Sequence, residues 1–166
     1  MTRPDFPPIE SAAGPDELAG RCAAAMWAQD RASQQLGMSP PVVGPGRASL
    51  TMRVREDMVN GQGNCHGGVL ATLADSAFAF ACNTYDEVTV AAGFDIVFVA
   101  PARLGDQLTA TALERARFGR SGLYDVSITR ADGELVAEFR GRSRSLGRPL
   151  LGPGEPSAGA RSGGGQ

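Results

Sequence analysis

Residues 64–83 read NCHGGVLATLADSAFAFACN, and this stretch decides the fold. Residues 69–82 within it are small or unbranched and almost all apolar, which favours a helix over a strand. No polar face is wide enough for a surface helix, so we expect a helix that is buried nearly all round. Asp75 is the only charged residue in this helix, and the triplet His-Gly-Gly at residues 66–68 stands where the helix must begin.

Composition limits the classes of function open to the chain. It has 166 residues, of which 42% are hydrophobic, and a formal net charge of −2. A chain of this length closes one core, and without a strong basic excess we expect no nucleic-acid partner. No apolar run of about 18 residues occurs, and the N-terminus lacks a signal-peptide layout. We therefore expect no membrane partner and a cytoplasmic location.

Residue counts exclude several catalytic chemistries. All sixteen basic residues are arginine, so no lysine is available as a base or for a Schiff base. His66 is the only histidine, which rules out a histidine pair. The three cysteines, Cys22, Cys65 and Cys82, lack CxxC spacing, so we expect reduced thiols and no metal site.

Pro- and Gly-rich ends frame a periodic middle. We expect flexible segments at residues 1–15 and 151–166, and a single domain over residues 16–150. Residues 16–36 have high helix propensity, an acidic first turn and one apolar side. This pattern predicts an amphipathic helix that ends at Gly37.

Strand signals lie on both sides of the buried helix. The predicted strands are residues 47–55, 89–100, 107–117, 122–130 and 134–145. Tight turn signals separate the last three, so we expect an antiparallel meander. One strand, a long helix and four more strands predict an α+β domain in which the helix packs on a single curved sheet.

Asp75 raises the question of why an acid stands in an apolar helix. Burial without a partner costs several kcal/mol or raises the pKa of the carboxyl group, and no arginine lies within one helical turn. One interpretation is a structural acid that caps a nearby loop. The other is a tuned general base or nucleophile, because a carboxylate in an apolar setting has the properties that such a group needs.

The His-Gly-Gly triplet places free backbone N–H groups and the positive end of the helix dipole at one point. Such a terminus can hold an anion or a developing oxyanion, although a plain Gly-rich turn would give the same sequence. Nine residues separate His66 from Asp75, which is about 13 Å along a helix. If both are catalytic, the acid must meet the glycines of a second subunit, as a two-fold dimer allows.

The segment NGQGNCHGGVLATLADSAFAFACN resembles the signature of hotdog-fold acyl-CoA thioesterases, most closely the phenylacetate-degradation branch. The residues in register with that signature are Asn60, His66, Gly67, Asp75 and Asn83. FVAPARLGDQLTATA at residues 98–112, and later GLYDVSI and FRGRS, look like strands of the same family. The resemblance covers about residues 36–146.

This resemblance implies a helix wrapped by a five- or six-stranded antiparallel sheet, and homodimers with shared active sites that often pair into homotetramers. It implies hydrolysis of phenylacetyl-CoA or hydroxyphenylacetyl-CoA in phenylacetate catabolism, with no cofactor beyond the coenzyme A of the substrate. The N–H of Gly67 would polarise the thioester carbonyl, and Asp75 of the neighbouring subunit would activate water or attack directly. His66 would orient the loop, and Asn60 would position water or substrate.

Further residues are candidates for substrate binding. Those expected to contact substrate or coenzyme A are Gly68, Asn83, Arg117, Arg120, Arg140 and Arg142. Arginine forks suit the phosphates of coenzyme A, whereas a row of arginines on one strand face is also typical of a solvated surface. The aromatic residues Phe78, Phe80, Tyr85 and Tyr124 are open to two interpretations, as core residues or as stacking partners of an aryl acyl group.

Other functions remain open at this point. Cys65 beside His66, or Ser76 beside Asp75, would be nucleophile candidates, but neighbouring residues rarely give the geometry that such pairs need. A medium-chain acyl-CoA thioesterase fits the same motifs. A non-catalytic acyl-CoA binding module would have no use for Asp75, and a hotdog dehydratase would need a further catalytic histidine.

Overall fold

The computed structural model describes residues 14–152 as three helices and six strands. These elements are α1 Pro15–Trp27, α2 Arg31–Gln35, β1 Val42–Gly44, β2 Arg47–Arg53, α3 Gly67–Cys82, β3 Thr89–Phe98, β4 Gln107–Phe118, β5 Ser121–Arg130 and β6 Leu135–Ser145. A short 3₁₀ turn, Glu56–Met58, precedes α3. The predicted flexible ends at residues 1–15 and 151–166 lie almost wholly outside the described residues.

One antiparallel sheet wraps the helix α3, which confirms the predicted α+β class. The strand order is β1-β2-β4-β5-β6-β3, and every neighbouring pair is antiparallel. The meander β4-β5-β6 is confirmed. The three-residue strand β1 was not predicted, because its prolyl and glycyl neighbours mask so short a pattern.

The buried helix was predicted correctly, although its burial is incomplete in a single chain. The side chains of Leu73, Ala74, Ala77 and Phe78 are fully buried against the sheet. A stripe along the opposite side, made of Gly68, Thr72, Asp75 and Ala79, is exposed or half-buried. A helix this apolar therefore presents one side that its own sheet does not cover.

Packing of α3 against β6 is close enough to require a glycine. The ring of Phe78 lies so near to Gly141 that a β-carbon there would come within 2.8 Å of it. Phe78 also packs against Tyr124 and Phe139, with ring centroids 5.5 and 5.8 Å away. The Tyr124 hydroxyl donates to Glu114 at 2.7 Å, so the polar atom of this buried side chain has a partner. These aromatic side chains are buried and form the core of the chain.

The first predicted helix, residues 16–36, is in fact two helices. α1 ends at Trp27, and Asp30 then caps α2 by accepting hydrogen bonds from the N–H and the hydroxyl of Ser33, at 3.0 and 2.6 Å. Aspartate favours such N-cap positions, so it starts a new helix in place of extending the old one. The strand predicted at residues 47–55 likewise ends two residues early, at Arg53.

The edge strand β3 exposes more apolar surface than an isolated chain normally tolerates. It pairs on one side with β6 only, and its other edge is free within the described residues. Val90, Phe94, Val97 and Phe98 are 43, 42, 64 and 52% exposed. Natural proteins usually protect such an edge with charge or by covering it.

Candidate active site

The start of α3 is organised by His66. Its Nδ1 accepts a hydrogen bond from the N–H of Gly68 at 3.0 Å, and its own N–H donates to the carbonyl of Met58 at 2.8 Å. The histidine is thus the N-cap of the helix. Within residues 14–152 the neighbouring N–H of Gly67 has no hydrogen-bond acceptor, so it is the free donor at the positive end of the helix.

Gly67, which carries this free N–H group, lines a cavity of about 420 Å³. Its lining residues are Asn60, Asn64, Cys65, Gly67, Leu70, Phe98, Val99, Ala100, Pro101 and Ala102. Most of this wall is apolar, and two side-chain amides and the helix terminus supply its polar groups. This composition is typical of a pocket for a small organic group.

The cavity walls are tied together by backbone hydrogen bonds. The N–H of Cys65 donates to the carbonyl of Ala102 at 2.7 Å, and Asn64 forms a β-bridge with Arg103. The N–H groups of Val99 and Ala100 both donate to the carbonyl of Val136, at 2.8 and 3.2 Å. These bonds link the backbone of the cavity walls within the chain itself.

Asn60 shapes the loop on one side of this pocket. Its Oδ1 accepts from the N–H groups of Gln62 and Asn64, at 2.9 and 3.2 Å, and its carbonyl accepts from Gly63. The oxygen of the side chain is thereby used by the loop. Only the Nδ2 group of Asn60 remains for water or substrate.

Asp75 does not line this cavity. It lies eight residues after Gly67 on the same helix, about 12 Å along the axis at 1.5 Å per residue. Its Oδ1 is buried and has no hydrogen-bond partner within the described residues, and burial raises the pKa of the carboxyl group. The structure thus holds an orphaned acid on the half-exposed side of α3.

The alternative nucleophiles are occupied or protonated. Burial raises the pKa of the Cys65 thiol to about 11, so it is not a thiolate at neutral pH. The hydroxyl of Ser76 is hydrogen-bonded to that of Ser33 at 2.8 Å. All three cysteines are buried free thiols, as predicted.

Asn83 has a structural role that the sequence did not reveal. It is buried at the end of α3, where Nδ2 donates to the carbonyls of Ala79 and Thr89 at 2.9 and 2.8 Å. Its Oδ1 accepts from the N–H of Thr89 at 2.9 Å. Its amide is thus already satisfied by the backbone among the described residues, and the contact of Asn83 with substrate stays a prediction.

The predicted arginines fall into two groups. Arg140 and Arg142 project from the outer face of β6, where they pair with Asp125 at 2.6 Å and with Asp95 at 2.7 Å. Their forks are therefore engaged by carboxylates, and the Arg140 partnership holds the pKa of Asp125 below its usual range.

The other two arginines lie near the carboxyl end of α3. The guanidinium of Arg117 sits over the ring of Tyr85, 4.0 Å from its centroid, and 3.9 Å from Glu87. Arg120 donates from Nε to the carbonyl of Ser145 at 3.1 Å and has no ion pair within residues 14–152. α3 spans about 24 Å, so this pair is remote from Gly67 in the same chain.

None of the aromatic residues predicted as stacking partners lines the cavity. Phe78, Phe80 and Tyr124 are at most 1% exposed and belong to the core, and Tyr85 is held by Arg117. Phe98, which the sequence analysis did not single out, lies on the cavity wall. The signal that would have found it is its position in the FVAP stretch, at the end of a strand that returns to the helix N-terminus.

Two general findings bear on the class of site. In the part of the chain that the structure describes, no three histidine, cysteine or acidic residues cluster as metal ligands would. No helix among those residues has the length and apolarity to cross a bilayer.

Comparison with known proteins identifies relatives of this chain. Residues 62–137 match the thioesterase superfamily model. The acyl-coenzyme A thioesterase PaaI of Escherichia coli is 41% identical over 128 residues, which are 77% of this chain and 91% of PaaI. Human acyl-coenzyme A thioesterase 13 is 32% identical over 58% of this chain and 71% of its own length.

A solved structure gives the same result for the fold. The E. coli PaaI protein from the phenylacetic acid degradation operon superposes with a TM-score of 0.80 at 39% identity. The match covers 82% of this chain and 99% of PaaI. The hotdog fold and the resemblance to the phenylacetate-degradation branch are thereby confirmed.

The orphaned carboxyl group of Asp75 leads to a prediction about stability. Because its pKa is raised on folding, the folded chain above that pKa carries a buried carboxylate that the unfolded chain solvates. Asp75→Asn should therefore increase the free energy of unfolding at about pH 8, and the gain should shrink toward about pH 4, near the ordinary carboxyl pKa. Urea unfolding of both proteins across this range measures the difference. A gain that is constant with pH would contradict the prediction.

Proposed function

Because this chain belongs to the thioesterase superfamily, we propose that it hydrolyses acyl-CoA thioesters, preferentially those with an aryl acyl group, to the free acid and coenzyme A. The observation that carries the proposal is Gly67, whose N–H has no acceptor among the described residues and which lines a largely apolar cavity at the positive end of α3. A thioester has the matching parts, since its carbonyl needs a hydrogen-bond donor and its acyl group needs an apolar pocket.

The reaction follows from these groups. The thioester oxygen accepts a hydrogen bond from the Gly67 N–H, which stabilises the negative charge that develops on it. Water attacks the carbonyl carbon while Asp75 takes its proton, or the Asp75 carboxylate attacks directly and water cleaves the resulting anhydride. The C–S bond breaks, and coenzyme A leaves as a thiolate that takes up a proton. Asn60 orients the water or substrate through Nδ2, and His66 holds the loop.

A second subunit completes this site. Asp75 and Gly67 of one chain are about 12 Å apart along α3, too far to act on one carbon. The half-exposed stripe of α3 carries Asp75, and the free edge of β3 exposes apolar side chains. If two chains pair through their β3 edges about a two-fold axis, the pairing would cover both surfaces. It would also bring each acid to the other chain's glycine. We propose a homodimer as the active unit, paired further into a homotetramer.

The aryl preference and the physiological role rest on the relatives. The E. coli relative is named as an acyl-CoA thioesterase and comes from a phenylacetic acid degradation operon. If this enzyme has the role that the relative's name and operon indicate, it would work in the cytoplasm. There it would release coenzyme A from aryl thioesters of phenylacetate catabolism. Medium-chain acyl-CoA substrates are the second candidate, because an apolar pocket of this volume also accepts an alkyl chain.

Of the arginines expected at the nucleotide end of coenzyme A, Arg117 already lies 3.9 Å from Glu87. The contacts favour Arg120 over Arg117 and over the pair Arg140 and Arg142. The last two are already paired with carboxylates on the outer sheet face. Arg120 has no carboxylate partner in the part of the chain that the structure describes. The extended pantetheine arm of coenzyme A separates the phosphates from the thioester by a long distance. Arginine forks bind phosphate through paired N–H groups.

The hydrolysis itself is tested by thiol release from phenylacetyl-CoA and hexanoyl-CoA. Wild type should cleave both, with the higher kcat/KM for the aryl substrate, and Asp75→Ala should lower kcat by about 10²–10⁴-fold. Asp16→Ala, which removes an exposed acid of α1, is the control and should keep wild-type activity. If the thioesters bind but wild type cleaves neither, the chain is an acyl-CoA binding module instead.

The shared site is tested by mixing two inactive variants. Gly67→Val places a side chain where a β-carbon already comes within 2.9 Å of the Phe98 ring, so it should block the pocket. Co-expression of differently tagged Gly67→Val and Asp75→Ala chains gives a mixed dimer with one intact site, so about half the wild-type activity per dimer should return. Activity that stays at the level of the separate variants would contradict a shared site.

The arginine assignment is tested through the split between two substrates. Arg120→Ala should raise KM for phenylacetyl-CoA several-fold and leave KM for the N-acetylcysteamine thioester of phenylacetate unchanged, because the short substrate lacks phosphates. Arg140→Ala is the matched control, because its fork is paired with Asp125. Equal KM values for Arg120→Ala and wild type on the CoA substrate would count against the assignment.

A further inference from the structure

Phe98 is placed unlike any other aromatic residue of the described chain. It ends β3, and its ring packs on Gly67 so closely that a β-carbon at Gly67 would lie 2.9 Å from Cζ. The tip of the ring, made of Cζ, Cε1 and Cε2, therefore lies nearest to the residue whose N–H is the free donor of the site. Even so, the side chain is 52% exposed, so much of the ring faces open space.

The cavity at the start of α3 lies beside this exposed ring. Phe98 lines the cavity together with Gly67 and the apolar residues that follow β3, and it supplies the only aromatic ring of the wall. The volume of about 420 Å³ lies within the roughly 300–1,000 Å³ typical of small-molecule pockets. A group held near the Gly67 N–H would thus lie beside the Phe98 ring.

Hydrogen bonds hold the backbone on both sides of the contact between Phe98 and Gly67. The two residues after it are held by the Val136 carbonyl, and the helix start beneath it is capped by His66. A preorganised ring loses little conformational freedom when a ligand packs against it. Aromatic rings prefer offset-stacked or edge-to-face partners, and this geometric preference is available to an aryl group but not to an alkyl chain.

We propose that Phe98 is a specificity-determining residue, whose ring forms the wall against which an aryl acyl group packs beside the Gly67 N–H. This inference rests on the proposed thioesterase function and adds the side chain that distinguishes aryl from alkyl substrates. Loss of the ring would weaken aryl substrates selectively, because both classes share the same coenzyme A and the same carbonyl contact.

The test compares Phe98→Leu with Phe118→Leu, both of known oligomeric state from size-exclusion chromatography. Phe118 is the matched control, since it also ends a strand and is 63% exposed but does not line the cavity. Phe98→Leu should lower kcat/KM for phenylacetyl-CoA by about 5-fold and change that for hexanoyl-CoA by less than about 2-fold. Phe118→Leu should keep the wild-type ratio of kcat/KM for phenylacetyl-CoA to kcat/KM for hexanoyl-CoA.

A binding measurement keeps this inference separate from the hydrolysis. Calorimetry with the uncleavable thioethers S-phenethyl-CoA and S-hexyl-CoA should show that Phe98→Leu weakens only the aryl ligand. If wild type cleaves neither thioester but this selective loss appears, the hydrolysis proposal fails and the role of Phe98 stands. The role of Phe98 would be overturned if Phe98→Leu weakened the aryl and alkyl ligands equally. It would also be overturned if the variant changed its oligomeric state without changing the ratio of aryl to alkyl affinity.

Discussion

The structure depends on the need to bury one apolar helix. α3 has a single charged residue in sixteen, so it is stable only where other surfaces remove it from water. The sheet does this by wrapping around it, and the fit is close enough that Gly141 must lack a side chain beside Phe78. The sheet still leaves one stripe half-exposed, and Asp75 lies in that stripe. In the proposed dimer, this uncovered stripe is the surface that would bring the acid to the second chain.

Much of the fold was readable from the sequence, because apolar periodicity and turn residues act locally. α3 and the four strands after it were predicted within one or two residues at nearly every end. The break at Asp30 was missed, because helix propensity is high on both sides of it and does not show where a capping aspartate begins a new helix. β1 was missed because three residues carry too little pattern.

The site was less predictable than the fold, since its parts are joined by tertiary contacts. The start of the helix could be predicted from the Gly-rich turn. The lack of a partner for Asp75 could be predicted from its apolar neighbours. The satisfied amide of Asn83 and the carboxylate partners of Arg140 and Arg142 could not, because those partners come from other strands. Phe98 escaped notice for the same reason: only the return of β3 to the helix start makes it part of the cavity.

The cap made by His66 also determines which tautomer its imidazole adopts. Nδ1 accepts the hydrogen bond of the Gly68 N–H, so in the neutral ring the proton must sit on Nε2. One ring nitrogen is thereby occupied as an acceptor, and the other has only a proton to offer. The single histidine of the chain can thus donate a hydrogen bond to a ligand but cannot take a proton from one while it caps the helix. The proposed reaction therefore assigns the removal of a proton to Asp75 and not to His66.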